Sequence, residues 1–204
     1  MRKIAAFDFD GTITCKDTLF DFIIYNYGSR GLLCCIIKNI FNLGLYAIGL
    51  RSNNEAKEKL LGTILRGAST EQFKTMCENY SLKRVPQIIR KETIEKINLH
   101  TAKGDTLVIV SASPEDWIKP WALSNGFSAV LATQLKRDNG TLTGSFASKN
   151  CYGEEKVNRL AMEFPYREDI EITAYGNSNG DIPMLKFANE GFLIKNNKWQ
   201  KFNR

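Results

Sequence analysis

An apolar run near the start of the chain leads directly into two acidic residues, and this feature restricts the possible folds more than any other. Residues 3–9 predict a short buried strand that ends in the motif DFDGT at residues 8–12. Carboxylates at positions i and i+2 of a strand lie on the same side. Asp8 and Asp10 are therefore expected to reach one ligand just beyond the strand end. The alternative is an acidic connecting turn, because Asp-Gly is a common turn pair.

Further β-rich runs alternate with helical patterns along the rest of the chain. The predicted strands are 3–9, 105–111, 128–135, 170–176 and 190–195, and the helical patterns are 86–100, 114–125, 154–163 and 181–188. This alternation predicts an α/β fold with a Rossmann-like parallel sheet covered on both faces. An Asn-Gly pair within residues 135–142 predicts a small hairpin.

Only helical patterns occur between the first two strands. They lie at 17–28, 31–50, 54–66 and 70–83. Ser69 and Gln72 predict a capping box at the start of the last one. A helical insert between two core strands predicts a cap over the carboxyl edge of the sheet, where open α/β sheets bind ligands. The predicted division is a core of residues 1–14 and 84–204 and a cap of residues 15–83.

Composition excludes several classes of site and partner. The 204 residues include one histidine, His100, which argues against Ser-His-Asp catalysis and His-rich zinc sites. Five cysteines without a CxxC pair predict a reducing, cytoplasmic location rather than a disulfide framework. Lys and Arg total 28 against 22 Asp and Glu, so an anionic partner is expected. Nucleic acid is not the expected partner, because the basic residues are dispersed and no stacking motif accompanies them.

Polar residues also stand where other predicted elements begin or end. Ser111 closes the second strand, and Ser113, which precedes a proline, predicts a helix N-cap. Lys156 lies in the first turn of a predicted helix, where the helix dipole disfavours a cation. The loop 177–181 is rich in side-chain oxygens and suits a hard cation such as Mg²⁺. Taken singly, these features have plain alternatives: a strand end, a surface lysine and a connecting turn.

In order and spacing, these motifs resemble the haloacid dehalogenase superfamily of phosphohydrolases. The resemblance is carried by DxDGT at residues 8–12, by Ser111, by Lys156 and by a GDxxxD-type loop at 176–185. The helical insert after the first motif resembles subfamily IB, the phosphoserine-phosphatase-like branch. The resemblance implies the fold of that superfamily with a helical cap, and a Mg²⁺-dependent phosphatase acting on a phosphate ester.

The resemblance also implies a role for each matching residue. Asp8 is the implied nucleophile that takes the phosphoryl group, and Asp10 is the acid that protonates the leaving oxygen and then activates water. Ser111, with Ala112 beside it, is implied to bind the substrate phosphate, and Lys156 to be the cation beside the nucleophile. The implied Mg²⁺ ligands are Asp8, the Asp10 carbonyl, Asn177 and Asp181.

Asn177 departs from the family pattern, which usually has Asp at this position. An amide oxygen can bind Mg²⁺ but lacks the charge of a carboxylate. The sequence therefore predicts weaker metal binding, with Asp181 contributing more of it. The substitution also leaves open the alternative of a catalytically weak phosphate-binding protein.

Asp17 lies nine residues after Asp8. Phosphoserine phosphatases have a Glu at this spacing that contacts the amino group of the substrate, so the resemblance makes Asp17 a candidate specificity residue. The alternative, which the sequence favours, is that Asp17 is the N-cap of a helix beginning at residue 18.

The segment 31–50 is unusually apolar, with 14 apolar residues among its 20. Its other residues that are not glycine lie on one narrow stripe of a helix: Lys38, Asn39 and Asn42. A single membrane crossing would separate the first motif from the other three. We therefore predict a helix that lies in the membrane interface, with Arg30 and Arg51 near anionic head groups. The alternatives are the core of the cap and a dimer interface.

The apolar cap helix adds a closer resemblance, together with residues 111–114 (SASP), 151–156 (CYGEEK) and 177–181 (NSNGD). These features resemble the phosphatidylglycerophosphatase C-like group within subfamily IB. The implied substrate is a phosphomonoester on a lipid head group, met by peripheral contact with the inner face of an anionic membrane. A small soluble phosphate such as phosphoserine is the alternative substrate.

Overall fold

The structure, a computed structural model that describes residues 1–203, contains a six-stranded sheet and a separate two-stranded hairpin. The strands are β1 (Arg2–Phe7), β2 (Thr106–Pro114), β3 (Ala129–Thr133), β4 (Leu135–Asp138), β5 (Thr141–Phe146), β6 (Ile170–Gly176), β7 (Glu190–Lys195) and β8 (Lys198–Lys201). The sheet order is β3-β2-β1-β6-β7-β8, and its neighbouring strands are parallel except β7 and β8. The predicted α/β fold with a parallel central sheet is confirmed.

The central strand β1 is buried on both faces. Ala5 and Phe7 belong to one apolar cluster, whereas Ile4 and Ala6 belong to the other, as the alternation of side chains along a strand requires. β1 pairs with β2 on one side and with β6 on the other. The chain therefore forms β2 and β3 on one side of β1 and later forms β6, β7 and β8 on the other side. Ligands of open α/β sheets bind at such a switch point, beyond the carboxyl ends of the strands.

Five of the eight α-helices in residues 1–203 lie between β1 and β2, where the sequence predicts only helices. The helices are α1 (Thr18–Lys38), α2 (Ile40–Ala47), α3 (Asn53–Leu65), α4 (Thr70–Asn79), α5 (Lys91–Ala102), α6 (Lys119–Ser124), α7 (Glu154–Glu163) and α8 (Ile182–Phe187). Gly28 interrupts α1 with φ +69°. The prediction of one continuous helix over 31–50 is wrong, because α1 ends at Lys38. Asn39 follows as its C-cap, and the Asn39 side chain donates to Cys35 O and to Thr63 Oγ1.

Three other predicted helices have different bounds in the structure. α4 ends at Asn79 and a wider helical turn follows it over residues 80–84. α5 begins at Lys91 rather than residue 86, because Pro86 lies in a short 3₁₀ turn and Ile89 is extended. In place of a helix over 114–125, β2 continues to Pro114 and α6 begins only at Lys119.

Two kinds of local feature, the helix N-caps and the short edge strand, were predicted only in part. Ser69 caps α4 by accepting from Gln72 N at 3.5 Å, and a full capping box that we did not predict joins Ser52 to Glu55. The short antiparallel strand β8 was also not predicted. Its connecting turn has positive φ at Asn196 and Asn197, an arrangement that asparagine tolerates.

The predicted hairpin, formed by β4 and β5, is confirmed and packs against α3. A Cβ built on Gly62 would lie 2.8 Å from Gly144 O, so the two backbones meet directly. Leu142 N donates to Ala68 O (2.9 Å), and Gly67 N donates to Leu142 O (2.8 Å). The hairpin thus fastens the helical insert to the side of the sheet. The division into a core of 1–14 and 84–204 and a cap of 15–83 stays a prediction.

Candidate active site

A cavity of about 440 Å³ lies at the carboxyl ends of β1 and β6. The predicted site residues that line it are Asp8, Asp10, Asp17, Ala112, Lys156, Asn177 and Asp181. Lys16, Asn53, Lys57 and Arg90 also line it, and none of these four was predicted. The fold thus brings residues that are far apart in the sequence to one edge of the sheet.

Asp8, Lys156 and Asp181 form a buried charged cluster in this cavity. Lys156 Nζ donates to Asp8 Oδ1 (2.7 Å), to Asp181 Oδ1 (2.6 Å) and to Val110 O (2.9 Å). All three protons of the ammonium group are therefore used. With an exposure of 2 %, Lys156 is not a surface lysine, so the plainer interpretation of this residue is wrong.

Burial dominates the electrostatics of this cluster. It raises the pKa of Asp8 to about 7, with repulsion from Asp181 adding to the rise and Lys156 offsetting part of it. Burial would lower the pKa of Lys156, but Asp8 and Asp181 hold it above its ordinary value. Burial opposes ionisation of Asp181 as well, yet Lys156 and N–H groups of the loop keep its pKa below the ordinary value. One buried ammonium thus faces two buried carboxyl groups, and Asp10 adds a further carboxyl group beside Asp8.

The Asp10 carboxylate is held by three hydrogen bonds. Thr18 donates to Oδ1 through its backbone N–H (2.7 Å) and its hydroxyl (2.6 Å), and Ser113 Oγ donates to Oδ2 (2.5 Å). Trp117 Nε1 donates in turn to the Thr18 hydroxyl (3.1 Å). The prediction that Ser113 caps a helix is wrong, because β2 remains extended to Pro114 and turns this hydroxyl toward Asp10.

Ser111 lies at an irregularity in β2, where the pairing with β3 shifts between Ser111 and Pro114. Its side chain is fully buried, and its Oγ accepts a hydrogen bond from Ser113 N (3.1 Å). Ala112, rather than Ser111, lines the cavity. The bulge therefore brings the backbone of residue 112 to the place where the sequence predicts phosphate binding.

The loop after β6 supplies oxygen atoms near Asp8. Thr12 Oγ1 lies 2.7 Å from Asp8 Oδ2 and 3.2 Å from Asn177 Oδ1, so these oxygens converge on one hydroxyl. Asp181 Oδ2 accepts from Asn177 N, Ser178 N and Ser178 Oγ, each at 3.0 Å. Both Asp181 oxygens are thus already hydrogen-bonded, and Asn177 has the more available oxygen.

These residues fit a Mg²⁺ ion. Within residues 1–203, no three Asp, Glu, His or Cys side chains are grouped as metal ligands. Mg²⁺ does not require such a group, because it accepts mixed oxygen donors and keeps several waters. Asp8, the Asp10 carbonyl and Asn177 Oδ1 provide donors of this kind. The excess of buried carboxyl groups over ammonium groups also favours a divalent cation.

Gly11 brings the first motif close to the Asn177 loop. Its φ is +76°, and a Cβ at this position would lie 2.1 Å from Asn177 Nδ2. A side chain would therefore displace Asn177 as well as strain the backbone. Arg90 Nε donates to Gly11 O (2.9 Å), which fixes the other side of this turn.

Comparison with known proteins identifies the family. The family model for haloacid dehalogenase-like hydrolases matches residues 5–186. The chain belongs to this family. Protein CicA from Caulobacter vibrioides is 31 % identical over 94 % of this chain and 86 % of its own length. A probable phosphatase from Mycobacterium tuberculosis is 26 % identical over 95 % of this chain and 69 % of its own length.

Solved structures show the same fold. A protein of unknown function from Bordetella pertussis has a TM-score of 0.79 at 22 % identity, with 94 % of this chain and 89 % of that one covered. A phosphoserine phosphatase, solved as an analogue of its phospho-aspartyl intermediate, has a TM-score of 0.64 at 20 % identity, covering 93 % of this chain and 85 % of that one.

Asp17 is the N-cap of α1, as the sequence favours, and its role as a specificity residue stays a prediction. Its side chain accepts from Leu19 N (2.9 Å) and so caps α1, and it also lines the cavity. Burial raises the pKa of Asp17, repulsion from Asp10 adds to the rise, and Lys57 opposes it. Lys57, from α3, therefore places a cation on the cap side of the cavity.

The residues that sequence reasoning missed lie outside the family motifs. Thr18 and Trp117 give no recognisable sequence signal, because a threonine at a helix start and an apolar aromatic residue occur in most domains. Lys57 and Arg90 belong to helical and turn segments that only the fold brings to the cavity. Ser113 had a signal, the Ser-Pro pair, but that signal predicted a cap.

The segment 31–50 leaves much of its apolar surface facing outward, although Cys35 is buried and Leu32 and Leu43 pack against the core. Asn39 is buried and donates to Thr63 Oγ1 (2.7 Å), whereas Ile37, Ile40 and Phe41 are 59 %, 68 % and 74 % exposed. Among the residues that the structure describes, no helix is both long and apolar enough to cross a membrane. The apolar side is therefore not covered by the described chain itself.

Proposed function

We propose that this hydrolase is a Mg²⁺-dependent phosphomonoesterase that acts through a phosphoaspartyl intermediate on Asp8. The observation that supports this most strongly is the Asp8 carboxylate, bonded to Lys156 and lying next to a second carboxylate, Asp10, with its own donors. A probable phosphatase among the relatives, and a phosphoserine phosphatase with the same fold, agree with this class of reaction.

In the first step, an Asp8 oxygen forms a bond to phosphorus while the bond from phosphorus to the leaving oxygen breaks. Asp10 transfers its proton to that oxygen, because an alkoxide is too basic to leave alone. In the second step, water attacks phosphorus and gives a proton to Asp10. The bond between Asp8 and phosphorus then breaks, and inorganic phosphate is released.

The other residues position these groups and offset charge. Lys156 holds Asp8 and reduces its repulsion of an anionic phosphate. Ala112 lines the cavity and binds the phosphate oxygens, and the buried Ser111, whose Oγ accepts from Ser113 N, supports this segment. Asp8, the Asp10 carbonyl and Asn177 would hold a Mg²⁺ ion, which would supply further positive charge at the transferred group. Asp181 keeps Lys156 and the Asn177 loop in place.

We propose a phosphomonoester on a lipid head group as the substrate, met at the inner face of the cytoplasmic membrane. The outward apolar side of 31–50 supports a peripheral contact of this kind. A small soluble phosphate is the second candidate substrate. It is supported by the position of Asp17 at the active-site cavity, by the cavity volume of about 440 Å³ and by the fold shared with a phosphoserine phosphatase.

Hydrolysis of p-nitrophenyl phosphate, phosphoserine and vesicle-bound phosphatidylglycerophosphate, each with and without Mg²⁺, tests the proposal. Asp8→Asn is expected to reduce Mg²⁺-dependent turnover by on the order of a thousandfold or more. Asp138→Asn, at an exposed carboxylate of the hairpin, is the matched control. No turnover by the wild-type protein at any Mg²⁺ concentration would indicate a phosphate-binding protein instead, and an active Asp8→Asn variant would refute the nucleophile.

A further inference from the structure

The helical insert contains a second cavity of about 630 Å³, between α2, α3 and β5. Among the described residues, it shares no lining residue with the active-site cavity. We call it the cap cavity. Its cationic lining residues are Lys38, Arg51, Lys59 and Arg66, and its carboxylates are Glu55 and Glu58.

Both carboxylates of the cap cavity are already engaged. Glu55 Oε2 accepts from Ser52 N (3.0 Å) and Ser52 Oγ (2.8 Å) in the capping box of α3. Glu58 Oε1 accepts from Phe146 N (2.8 Å), which joins α3 to the hairpin. Each therefore has a structural partner other than a cation.

The four cations of the cap cavity are not paired in this way. Within residues 1–203, none of them forms an ion pair with a carboxylate. Arg51 donates to the Asn42 side chain, and Arg66 packs over Gly144. Because like charges held close together repel one another, this group favours an anionic ligand.

An apolar groove lies directly beside the cap cavity. It measures about 240 Å³, and Tyr27, Cys34 and Ile64 are among its lining residues. Lys38 and Thr63 line both the groove and the cap cavity. A ligand with both an anionic group and an apolar chain would match the cap cavity and the apolar groove together. A free inorganic anion would match only the cap cavity.

We propose that the cap cavity binds the headgroup phosphate of an anionic phospholipid, with the apolar groove taking the adjoining part of the lipid. This lipid is an anchor rather than the substrate, since its site is separate from Asp8. The inference rests on the proposed membrane contact of residues 31–50 and is independent of the proposed phosphatase chemistry.

Co-sedimentation with vesicles of phosphatidylglycerol and phosphatidylcholine, against phosphatidylcholine alone, tests the inference. Removing a basic residue near an anionic surface weakens binding about fivefold, so Lys59→Gln/Arg66→Gln is expected to weaken it about 25-fold. The control, Lys74→Gln/Lys83→Gln, removes the same charge from exposed positions of the insert outside the cap cavity and is expected to change binding by less than about threefold. Hydrolysis of p-nitrophenyl phosphate should be unchanged in both variants.

Equal weakening in both double variants would overturn the inference, because it would indicate diffuse attraction rather than a site. Unchanged binding of Lys59→Gln/Arg66→Gln would overturn it while leaving the membrane contact in place. Failure of the wild-type protein to bind anionic vesicles would refute the contact and the inference together, whereas phosphatase activity would still be measured separately. Without vesicle binding, thermal stabilisation of the wild-type protein by inorganic phosphate that is lost in Lys59→Gln/Arg66→Gln would overturn the inference and assign the cap cavity to a soluble anion.

Discussion

Three hydrogen bonds hold the side-chain carboxylate of Asp10 in the active site. An acid that first donates and then accepts a proton must face the same oxygen position in both steps. The two hydrogen bonds from Thr18 and the one from Ser113 fix the plane of the Asp10 carboxylate. Trp117 Nε1 in turn donates a hydrogen bond to the Thr18 hydroxyl. Ser113 is thus a positioning residue that acts through Asp10.

Ser113→Ala is expected to lower kcat on an alkyl phosphate by about 10- to 100-fold with little change in KM, because Asp10 loses one of its three donors. With p-nitrophenyl phosphate, whose leaving group needs no proton, the first turnover should be retained while later turnovers slow. Rapid-quench measurement of this burst is the check. Ser128→Ala, at an exposed serine, is the control. Loss of the burst as well would show that Ser113 acts on phosphoryl transfer itself.

The sequence predicts the charged residues of this site better than their supports. Asp8, Asp10, Lys156 and Asn177 were identified because their order along the chain resembles that of a family. The hydroxyl of Ser113 was assigned to a cap because a Ser-Pro pair has that local preference. Only the irregular pairing of β2 with β3 turns it toward Asp10, and long-range pairing of this kind leaves no local pattern.

At the scale of elements, α1 is attached to the turn over 80–84 by an ion pair between the partly exposed Arg84 and the buried carboxylate of Asp21. Arg84 donates to both oxygens of Asp21, through Nε at 2.8 Å and Nη2 at 2.7 Å. The Tyr80 hydroxyl lies 3.2 Å from Asp21 Oδ2. This contact connects the first and last segments of the helical insert, so it closes the insert where it leaves and re-enters the core.

Arg84→Met is expected to lower the free energy of unfolding by about 2 kcal/mol near neutral pH, because it leaves the Asp21 carboxylate buried without its main partner. Hydrogen bonds from Arg84 hold the pKa of Asp21 below its ordinary value of 3.8. The stabilisation is therefore complete above that value and disappears as the pH falls through the lower pKa of the folded state. Urea unfolding between about pH 7 and about pH 3 measures this.

Lys83→Met, at the exposed neighbouring position, is the control for Arg84→Met and is expected to have little effect on stability. A loss of stability in Arg84→Met that stays the same across the acid range would show that packing of the arginine stem, rather than its charge, holds α1.

The types of the elements were predicted more reliably than their bounds. The apolar pattern of β1 and β6 is unambiguous because both faces are buried. β2 extends past the predicted end at residue 111, since the Pro114 ring that suits a helix start also tolerates an extended strand end. Strand β8 lies at the sheet edge and is mostly exposed, so it lacks an apolar alternation.

In the whole molecule, acidic and basic side chains are concentrated in two separate regions. The carboxyl groups converge at the active site, whereas the residues from 30 to 66 include six basic and two acidic side chains. The same part of the chain exposes Ile37, Ile40 and Phe41. An apolar surface with basic neighbours is typical of proteins that contact anionic membranes.

Ile37→Asn/Phe41→Asn is therefore expected to weaken binding to anionic vesicles by about tenfold for each residue, because each side chain loses its burial in the lipid interface. Leu123→Asn/Met162→Asn is the matched control, since these side chains are similarly exposed, at 64 % and 82 %, but lie on α6 and α7. Both variants should keep the stability and the soluble-substrate activity of the wild-type protein. Equal weakening in the two variants would contradict a contact through 31–50. Unchanged binding with a shift from dimer to monomer in analytical ultracentrifugation would instead assign this surface to a second copy of the chain.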